Sequence, residues 1–309
     1  MNLQVKKSSQ TGKFGFVHSD NPDGPFIIAA QFDQAFAFQG EIARVMQDKL
    51  LGLINAQGEF VLPCKYDELH EFHEDLAIVR KDGKSGAINL RGEEVIVCEY
   101  DLIYDFHQGI AVAAEKSWSW GAINTTGEVV VPMIYDWLDR FYDDLAICEL
   151  GGKYGFVNRK GNPIVSEQYS NAKPFSEGFA AVFKKNRKAM GKWGYIDATG
   201  KEVIAFEFEE AGAFRSGVAG VRKNQNYGFI NKTGHFVIEP KFQEVGNFSD
   251  GLAAVKVAEK WGYINKIGNE VIAPKFYAAG EFAQGRAKVE LDGRSFYIDR
   301  RGDELVDVV

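Results

Sequence analysis

A short block of residues recurs along the whole chain about every 35 residues, and this repeat restricts the possible folds more than any other feature. Each block has an aromatic or small residue, a glycine, an apolar residue, Ile or Val, and Asn or Asp, as in Trp261-Gly262-Tyr263-Ile264-Asn265. The block glycines stand at positions 15, 52, 86, 121, 155, 194, 228 and 262, and a ninth copy has Phe296 at this position. Such a period is typical of proteins that stack one small structural unit many times.

Three further landmarks keep a fixed distance from the block glycine. A second glycine follows after six residues, an aromatic residue after fourteen and a phenylalanine after twenty, as in Gly268, Phe276 and Phe282. The first period follows the same order if three residues are inserted near Asn21. Every unit therefore repeats the same candidate turn and the same aromatic positions.

These motifs resemble the WG-repeat family, a bacterial repeat family named for its Trp-Gly pair. The resemblance covers essentially all 309 residues. The departures are Leu51, Ser85 and Ser295 at the Trp position and Phe296 at the Gly position. The resemblance implies a repeat protein without established catalytic residues, so it supplies no active site to this chain.

Each period contains three segments typical of short β-strands. In one period they are residues 252–257, 261–265 and 270–273, which we name strands A, B and C. They are short and rich in β-branched and aromatic residues, and the Asn265 to Gly268 segment between B and C is typical of a bulged hairpin turn. We therefore predict an all-β fold, a tandem array of about nine three-stranded antiparallel repeats of about 35 residues, forming a single domain over residues 1–309.

The block glycine and the aromatic landmarks predict how the repeats pack. Glycine weakens a strand interior, so its recurrence in strand B indicates close approach of another backbone or of an aromatic ring. We expect the later aromatics, such as Tyr135 and Phe141, to stack against neighbouring units, because three strands alone bury too little apolar surface. Both an open superhelix and a propeller-like ring satisfy these patterns. We favour the open superhelix, since no permuted strand is present to seal a ring.

Charge is distributed unevenly. Residues 1–150 have 12 basic and 24 acidic residues, and the segment Gly92–Leu150 has only two basic residues against twelve acidic ones. The net charge of −7 argues against nucleic-acid binding, which requires a basic surface. Acidic connections with aromatic residues predict binding of a basic peptide. A sugar stacked on the rings, a Ca²⁺ site or a plain solvated surface are the alternatives.

After the first period, differences in repeat length fall between strands A and B. The longest such loop is the basic segment Lys184–Lys192, which is interpreted either as a solvated hairpin tip or as a contact for an acidic partner, and a one-residue insertion gives Glu115–Ser119. Loops on a rigid scaffold commonly carry function. The predicted partner-binding residues are Tyr104, Trp118, Trp137, Asp139, Asp143, Arg187 and Lys188.

The chain contains no nucleophile-elbow, P-loop, dinucleotide-binding or zinc-protease motif, so we predict no enzymatic activity and no cofactor. His70, His73 and His107 suggest a metal site only if three loop side chains converge, and solvated histidines are the simpler interpretation. Cys64 and Cys98 occupy equivalent positions in adjacent repeats and are expected to be reduced, with a disulfide or metal role as the alternative. Cys148 is expected in the core.

The chain has no apolar run long enough to span a membrane and no signal peptide, so we expect a cytoplasmic location. We predict a non-catalytic scaffold that mediates protein–protein interaction through the loops of its stacked units. The alternative is a glycan- or cell-envelope-associated binding module.

Overall fold

The computed structural model describes residues 2–142, 144–185 and 191–305. They form nine antiparallel sheets and one 3₁₀ turn at Lys116–Trp118. The chain divides into two compact units, which are Met1–Asp139 with Arg159–Gly161, and Arg140–Asn158 with Asn162–Val309. Within the described ranges, no helix is long and apolar enough to cross a membrane. The predicted all-β repeat architecture is confirmed.

Four sheets lie wholly within the first unit. Its strands are β1 (Leu3–Lys7), β2 (Phe14–His18), β3 (Ile28–Phe32), β4 (Gln34–Ala35), β5 (Ile42–Gln47), β6 (Leu50–Asn55), β7 (Phe60–Tyr66), β8 (Glu68–Leu69), β9 (Leu76–Lys81), β10 (Lys84–Asn89), β11 (Glu94–Tyr100), β12 (Leu102–Ile103), β13 (Ile110–Glu115), β14 (Ser119–Asn124), β15 (Val129–Tyr135) and β16 (Trp137–Leu138). Strands β1–β3 form sheet 1, β4–β7 sheet 2, β8–β11 sheet 3 and β12–β15 sheet 4.

The second unit continues the same pattern. Its strands are β17 (Leu145–Leu150), β18 (Lys153–Asn158), β19 (Pro163–Tyr169), β20 (Asn171–Ala172), β21 (Phe179–Lys184), β22 (Lys192–Asp197), β23 (Glu202–Phe208), β24 (Glu210–Ala211), β25 (Val218–Lys223), β26 (Asn226–Asn231), β27 (Phe236–Phe242), β28 (Glu244–Val245), β29 (Leu252–Val257), β30 (Lys260–Asn265), β31 (Glu270–Phe276), β32 (Ala278–Ala279), β33 (Ala287–Leu291) and β34 (Arg294–Ile298). Strands β17–β19 lie in sheet 5, β20–β23 form sheet 6, β24–β27 sheet 7, β28–β31 sheet 8 and β32–β34 sheet 9.

Each complete four-stranded sheet contains the predicted strands A, B and C and a two-residue strand that precedes strand A. In sheet 8, β28 pairs with β29, which pairs with β30, which pairs with β31. Strand C also extends three residues beyond its predicted end, to the aromatic residue at Phe276. Two residues are too few to show an alternating pattern, and this is why the sequence does not predict the short strand.

The block glycine is required by a bulge in strand C. Trp261 pairs with Phe276 and Tyr263 pairs with Ile272, so Gly262 alone faces the three residues between Ile272 and Phe276. The strand C backbone consequently folds over the glycine, and a Cβ added to Gly262 would lie 2.4 Å from the carbonyl oxygen of Ile272. This confirms the predicted backbone approach, and the approaching chain is a strand of the same sheet.

The turn between strands B and C also has the predicted chemistry. Gly268 has a φ of +83° and donates its N–H to the carbonyl oxygen of Asn265. The Asn265 side-chain oxygen accepts the N–H groups of Ile267 and Asn269, which completes an Asx turn.

The apolar core lies between consecutive sheets. Tyr263 and Ile272 of sheet 8 form one buried cluster with Ala287 and Val289 of sheet 9. The phenylalanine twenty residues after the block glycine joins this cluster, since the rings of Tyr263 and Phe282 lie 4.8 Å apart. Stacking of the aromatic landmarks between consecutive repeats is therefore confirmed here, and sheet 9 shields the apolar face of sheet 8 from water.

Candidate functional site

Three aromatic rings of sheet 4 lie together at its surface. The ring of Tyr104 stacks on that of Trp120 at 5.8 Å, and the ring of Trp118 lies 6.0 Å from Trp120. Trp120 is buried, whereas Tyr104 and Trp118 remain 37% and 56% exposed. We name Tyr104, Trp118 and Trp120 the aromatic patch. Sequence reasoning identified Tyr104 and Trp118 separately, and the structure brings them together through Trp120.

The register of sheet 4 explains why these rings meet. Trp120 precedes the block glycine of β14 and pairs with Ala114 of β13. The corresponding partners in sheets 7 and 8 are Arg222 and Lys256, whose side chains are much longer than that of alanine. The small Ala114 leaves room above Trp120 for rings from either side. Tyr104 is held in place by its backbone N–H, which donates to the carbonyl oxygen of Val112.

Trp118 lies in the one-residue insertion between strands A and B of sheet 4. Ser117 and Trp118 have φ values of +63° and +61°. This left-handed region is unfavourable for a bulky side chain, and such residues cluster at functional sites. The two-residue hairpins have the same left-handed pair, as at Asp48–Lys49 and Ala258–Glu259, so the exposed Trp itself distinguishes this insertion.

The surroundings of the aromatic patch are acidic. Residues 101–139 contain six Asp or Glu residues and a single basic residue, Lys116. Asp101 is paired with Lys84, and Asp105 lies 3.7 Å from the His70 ring. Burial, together with the negative charges of Glu115 and Glu99, raises the pKa of Tyr100. A cationic partner would thus be attracted to this sheet.

The other predicted partner-binding residues do not all join the patch. Trp137 is 37% exposed on β16, which lies beside β14, but it has no ring contact with the patch in the described part of the chain. Asp139 is half-buried and follows its block glycine at the same distance as Tyr104 follows Gly86. Asp143, Arg187 and Lys188 lie outside the described residues.

The candidate metal and disulfide sites receive no support. Among residues 2–142, 144–185 and 191–305, no group of His, Cys, Asp and Glu side chains is arranged to hold a metal ion. Cys64, Cys98 and Cys148 are in the thiol form, and Cys148 is fully buried in β17 as expected. Burial is the main cause that raises the pKa of both Cys64 and Cys98, which disfavours the reactive thiolate.

Solved structures show a remote likeness to this chain. Hsv2p from Kluyveromyces lactis is 7% identical, with 75% of this chain and 92% of that chain covered at a TM-score of 0.42. The extracellular domain of a one-component-system protein from B. thetaiotaomicron is 10% identical, with 98% of this chain and 53% of that chain covered at a TM-score of 0.37. None of the curated proteins gives a significant match.

Sequence comparison with protein families gives a specific result. The WG containing repeat matches residues 21–50, 52–84, 86–115, 120–154, 154–188, 193–227, 227–261 and 261–294. These eight stretches span most of the chain and follow the period of the sheets. The chain belongs to the WG-containing repeat family.

Proposed function

We propose that this protein is a non-catalytic repeat scaffold for protein–protein interaction, and that the aromatic patch of sheet 4 binds a basic segment of the partner. The observation that carries the proposal is Trp118, which is 56% exposed in the hairpin that contains the inserted residue. An exposed Trp leaves a large apolar surface in water, whereas an interface gains a large rigid anchor from it.

Two further features support a basic partner. The rings of Tyr104 and Trp118 offer flat faces on which an arginine or lysine side chain can stack. The acidic surroundings attract such a chain and speed its association. The predicted residues Trp137 and Asp139 would extend the same surface along the connection that follows β15.

The test is selection of random peptides displayed on phage, followed by measurement of the dissociation constant of a synthetic selected peptide. We expect the selected peptides to be basic. Trp118→Ala should weaken their binding about 30-fold or more, as for a Trp at the centre of an interface. Trp137→Ala combined with Asp139→Lys should also weaken binding if the surface extends that far.

The control is Tyr277→Ala, because Tyr277 has the same exposed fraction as Trp118 but lies between β31 of sheet 8 and β32 of sheet 9. It should leave the dissociation constant unchanged. Selection of no peptides, or of peptides that bind Trp118→Ala as tightly as wild type, would reject the proposal.

Glycan binding is a second candidate, favoured by a cavity in the second unit. The cavity has a volume of about 220 Å³ and lies where Gly212 and Gly220 both lack the side chains that earlier repeats place there. Glu210 and Glu244 supply acceptors, and Tyr227 supplies a ring. Burial and the hydrogen bond to Glu210 raise the pKa of Tyr227 to about 12, so the phenol stays neutral. Binding on a glycan array that Gly220→Ala abolishes would support this candidate, and an array without signal would exclude it.

A further inference from the structure

A larger cavity of about 700 Å³ lies wholly within the second unit, at the ends of β21 and β22. The rings of Phe183 and Trp193 form its apolar wall, with their centroids 5.4 Å apart. Lys185, Lys192 and Arg222 contribute the cations of its lining. We name these five residues the basic cleft. Its volume falls within the range of clefts that bind small molecules or peptide side chains.

The cleft lies where the two ends of the longest A–B loop meet β21 and β22. Successive block glycines are 34 residues apart in most repeats, but Gly155 and Gly194 are 39 apart. Because of this insertion, seven residues separate β21 from β22, whereas two residues separate strands A and B in sheets 2, 3, 5, 7, 8 and 9. Gly191 then allows Phe183 to pack against the chain, since an added Cβ would lie 2.4 Å from the Phe183 ring.

The charges of the cleft are incompletely balanced by the described residues. Glu209 accepts the backbone N–H of Gln225 and lies 3.8 Å from Lys192 and 3.3 Å from the Nε atom of Arg222. Arg222 also pairs through Nη1 with Glu210 at 3.0 Å, whereas its buried Nε makes no hydrogen bond of good geometry to a described group. Lys185 has no ion pair with a described residue. Among the described residues, Lys185, Lys192 and Arg222 are thus balanced by two carboxylates, Glu209 and Glu210.

We propose that the basic cleft binds an acidic peptide segment that inserts an aromatic side chain beside Phe183 and Trp193. The inserted ring would gain stacking and apolar burial, and the flanking carboxylates would accept charge-assisted hydrogen bonds from Lys185, Lys192 and Arg222. The basic cleft is expected to bind acidic peptides, whereas the aromatic patch is expected to bind basic ones. The two sites can therefore be tested separately.

The experiment measures fluorescence anisotropy of a labelled peptide in which Glu residues flank one Phe, using the full chain. Two control peptides replace every Glu by Gln or the Phe by Ala. We expect the Glu-Phe peptide to bind with an affinity that falls at high salt. Either control peptide should bind the wild-type protein about tenfold more weakly than the Glu-Phe peptide does. The Glu-Phe peptide should lose affinity to the same extent for the protein with Lys185→Met and Lys192→Met.

Lys153→Met is the matched control, because Lys153 and Lys192 are each the first residue of a strand B, two residues before the block glycine. Lys153 is exposed and Lys192 is half-buried. It should leave binding unchanged. A Phe183→Leu variant tests the aromatic wall while preserving an apolar side chain, and its unfolding temperature checks that it folds. Equal binding of the Glu and Gln peptides, no effect of the lysine variants, or binding of single-stranded oligonucleotides in place of the peptide would each overturn the proposal.

Discussion

The residue that most sharply limits variation in this chain is the glycine of strand B. At Gly262 the carbonyl oxygen of Ile272 and the amide nitrogen of Pro274 occupy the space of a side chain, at 2.4 and 2.7 Å from an added Cβ. Both are backbone atoms of a hydrogen-bonded strand, so neither can move without disturbing the bulge. The repeat preserves glycine here for a steric reason, and the sequence was sufficient to predict it.

Gly262→Ala should therefore destabilise the fold. We expect the free energy of unfolding to fall by roughly 1–3 kcal/mol, the usual range for overpacking. Gly246→Ala is the control, because its added Cβ would lie 3.6 Å from the Ala254 side chain, an ordinary contact distance. It should change stability by less than about 0.5 kcal/mol. Urea unfolding of both variants makes the comparison, and equal losses would refute this explanation.

The aromatic patch shows where prediction at the residue scale ends. Tyr104 and Trp118 were identified from composition and from an inserted residue, without any indication that they meet. Their meeting depends on Ala114, which pairs with Trp120 and leaves its ring accessible. An alanine in a strand has no distinctive signal by itself, so only the register between β13 and β14 reveals the patch.

At the scale of single elements, the hairpins between strands A and B differ in how well their residues suit the turn. Asp82–Gly83 and Asp48–Lys49 occupy the same place in sheets 3 and 2, and all four residues have positive φ values. Lys49, at a φ of +68°, is therefore less suited to its position than Gly83 is to the equivalent one. The two turns therefore show how two different residue pairs fit the same backbone conformation.

Exchanging these residues should give opposite effects. We expect Lys49→Gly to raise the free energy of unfolding by about 0.5–1 kcal/mol and Gly83→Lys to lower it by about 1 kcal/mol. Thermal unfolding of each single variant measures the difference. A loss of stability in Lys49→Gly would mean that flexibility gained in the unfolded chain outweighs relief of the strained turn.

A carboxylate also joins two loops of the second unit. Glu177 accepts the backbone N–H of Gly217 and pairs with Lys232 at 3.2 Å. Burial alone would raise the pKa of Glu177, but the hydrogen bonds from Lys232 and Gly217 outweigh it and lower the pKa below the ordinary value of 4.5. The ionised form is thus the one that stabilises the folded chain.

This shift gives a stability difference with a defined pH dependence. Because the folded pKa is lowered, the contribution of Glu177 is complete above about 4.5, the unfolded value, and is lost as pH falls through the lowered folded value. Glu177→Gln should cost about 0.5–1 kcal/mol at neutral pH and progressively less in acid. Urea unfolding across this range measures the difference, and Lys232→Met in the same background separates the two partners. A pH-independent difference would contradict the assignment.

The elements were largely predictable, with one consistent omission. Strand B and the Asn265–Gly268 turn follow directly from propensity and turn chemistry. The two-residue strands, such as β28, were missed because their pairing is set by the neighbouring strand A rather than by their own residues. The basic cleft was only partly foreseen, since its loop was recognised but the position of Phe183 and Trp193 depends on three-dimensional packing.

At the scale of a whole compact unit, the cores lie between consecutive sheets, and this determines how stability is distributed within that unit. Phe229 and Ile238 of sheet 7 share a cluster with Ala253 and Val255 of sheet 8, just as sheet 8 shares one with sheet 9. A sheet without its neighbours would expose these apolar faces. Stability should therefore behave as a sum of sheet and nearest-neighbour contributions.

Hydrogen exchange of the Gly262→Ala variant tests this expectation, because the substitution acts on one sheet. We expect amides of sheet 8 to lose protection by about tenfold or more, and those of sheets 7 and 9 to follow because they share its cores. Amides of β17 and β18 in sheet 5 should exchange as in wild type, since no core cluster joins sheet 5 to sheet 8 in the described residues. Mass spectrometry of peptic fragments resolves these regions, with Gly246→Ala as the control. Equal loss of protection in all sheets would show that the repeats open together, and nearest-neighbour packing would then not explain the stability of the fold.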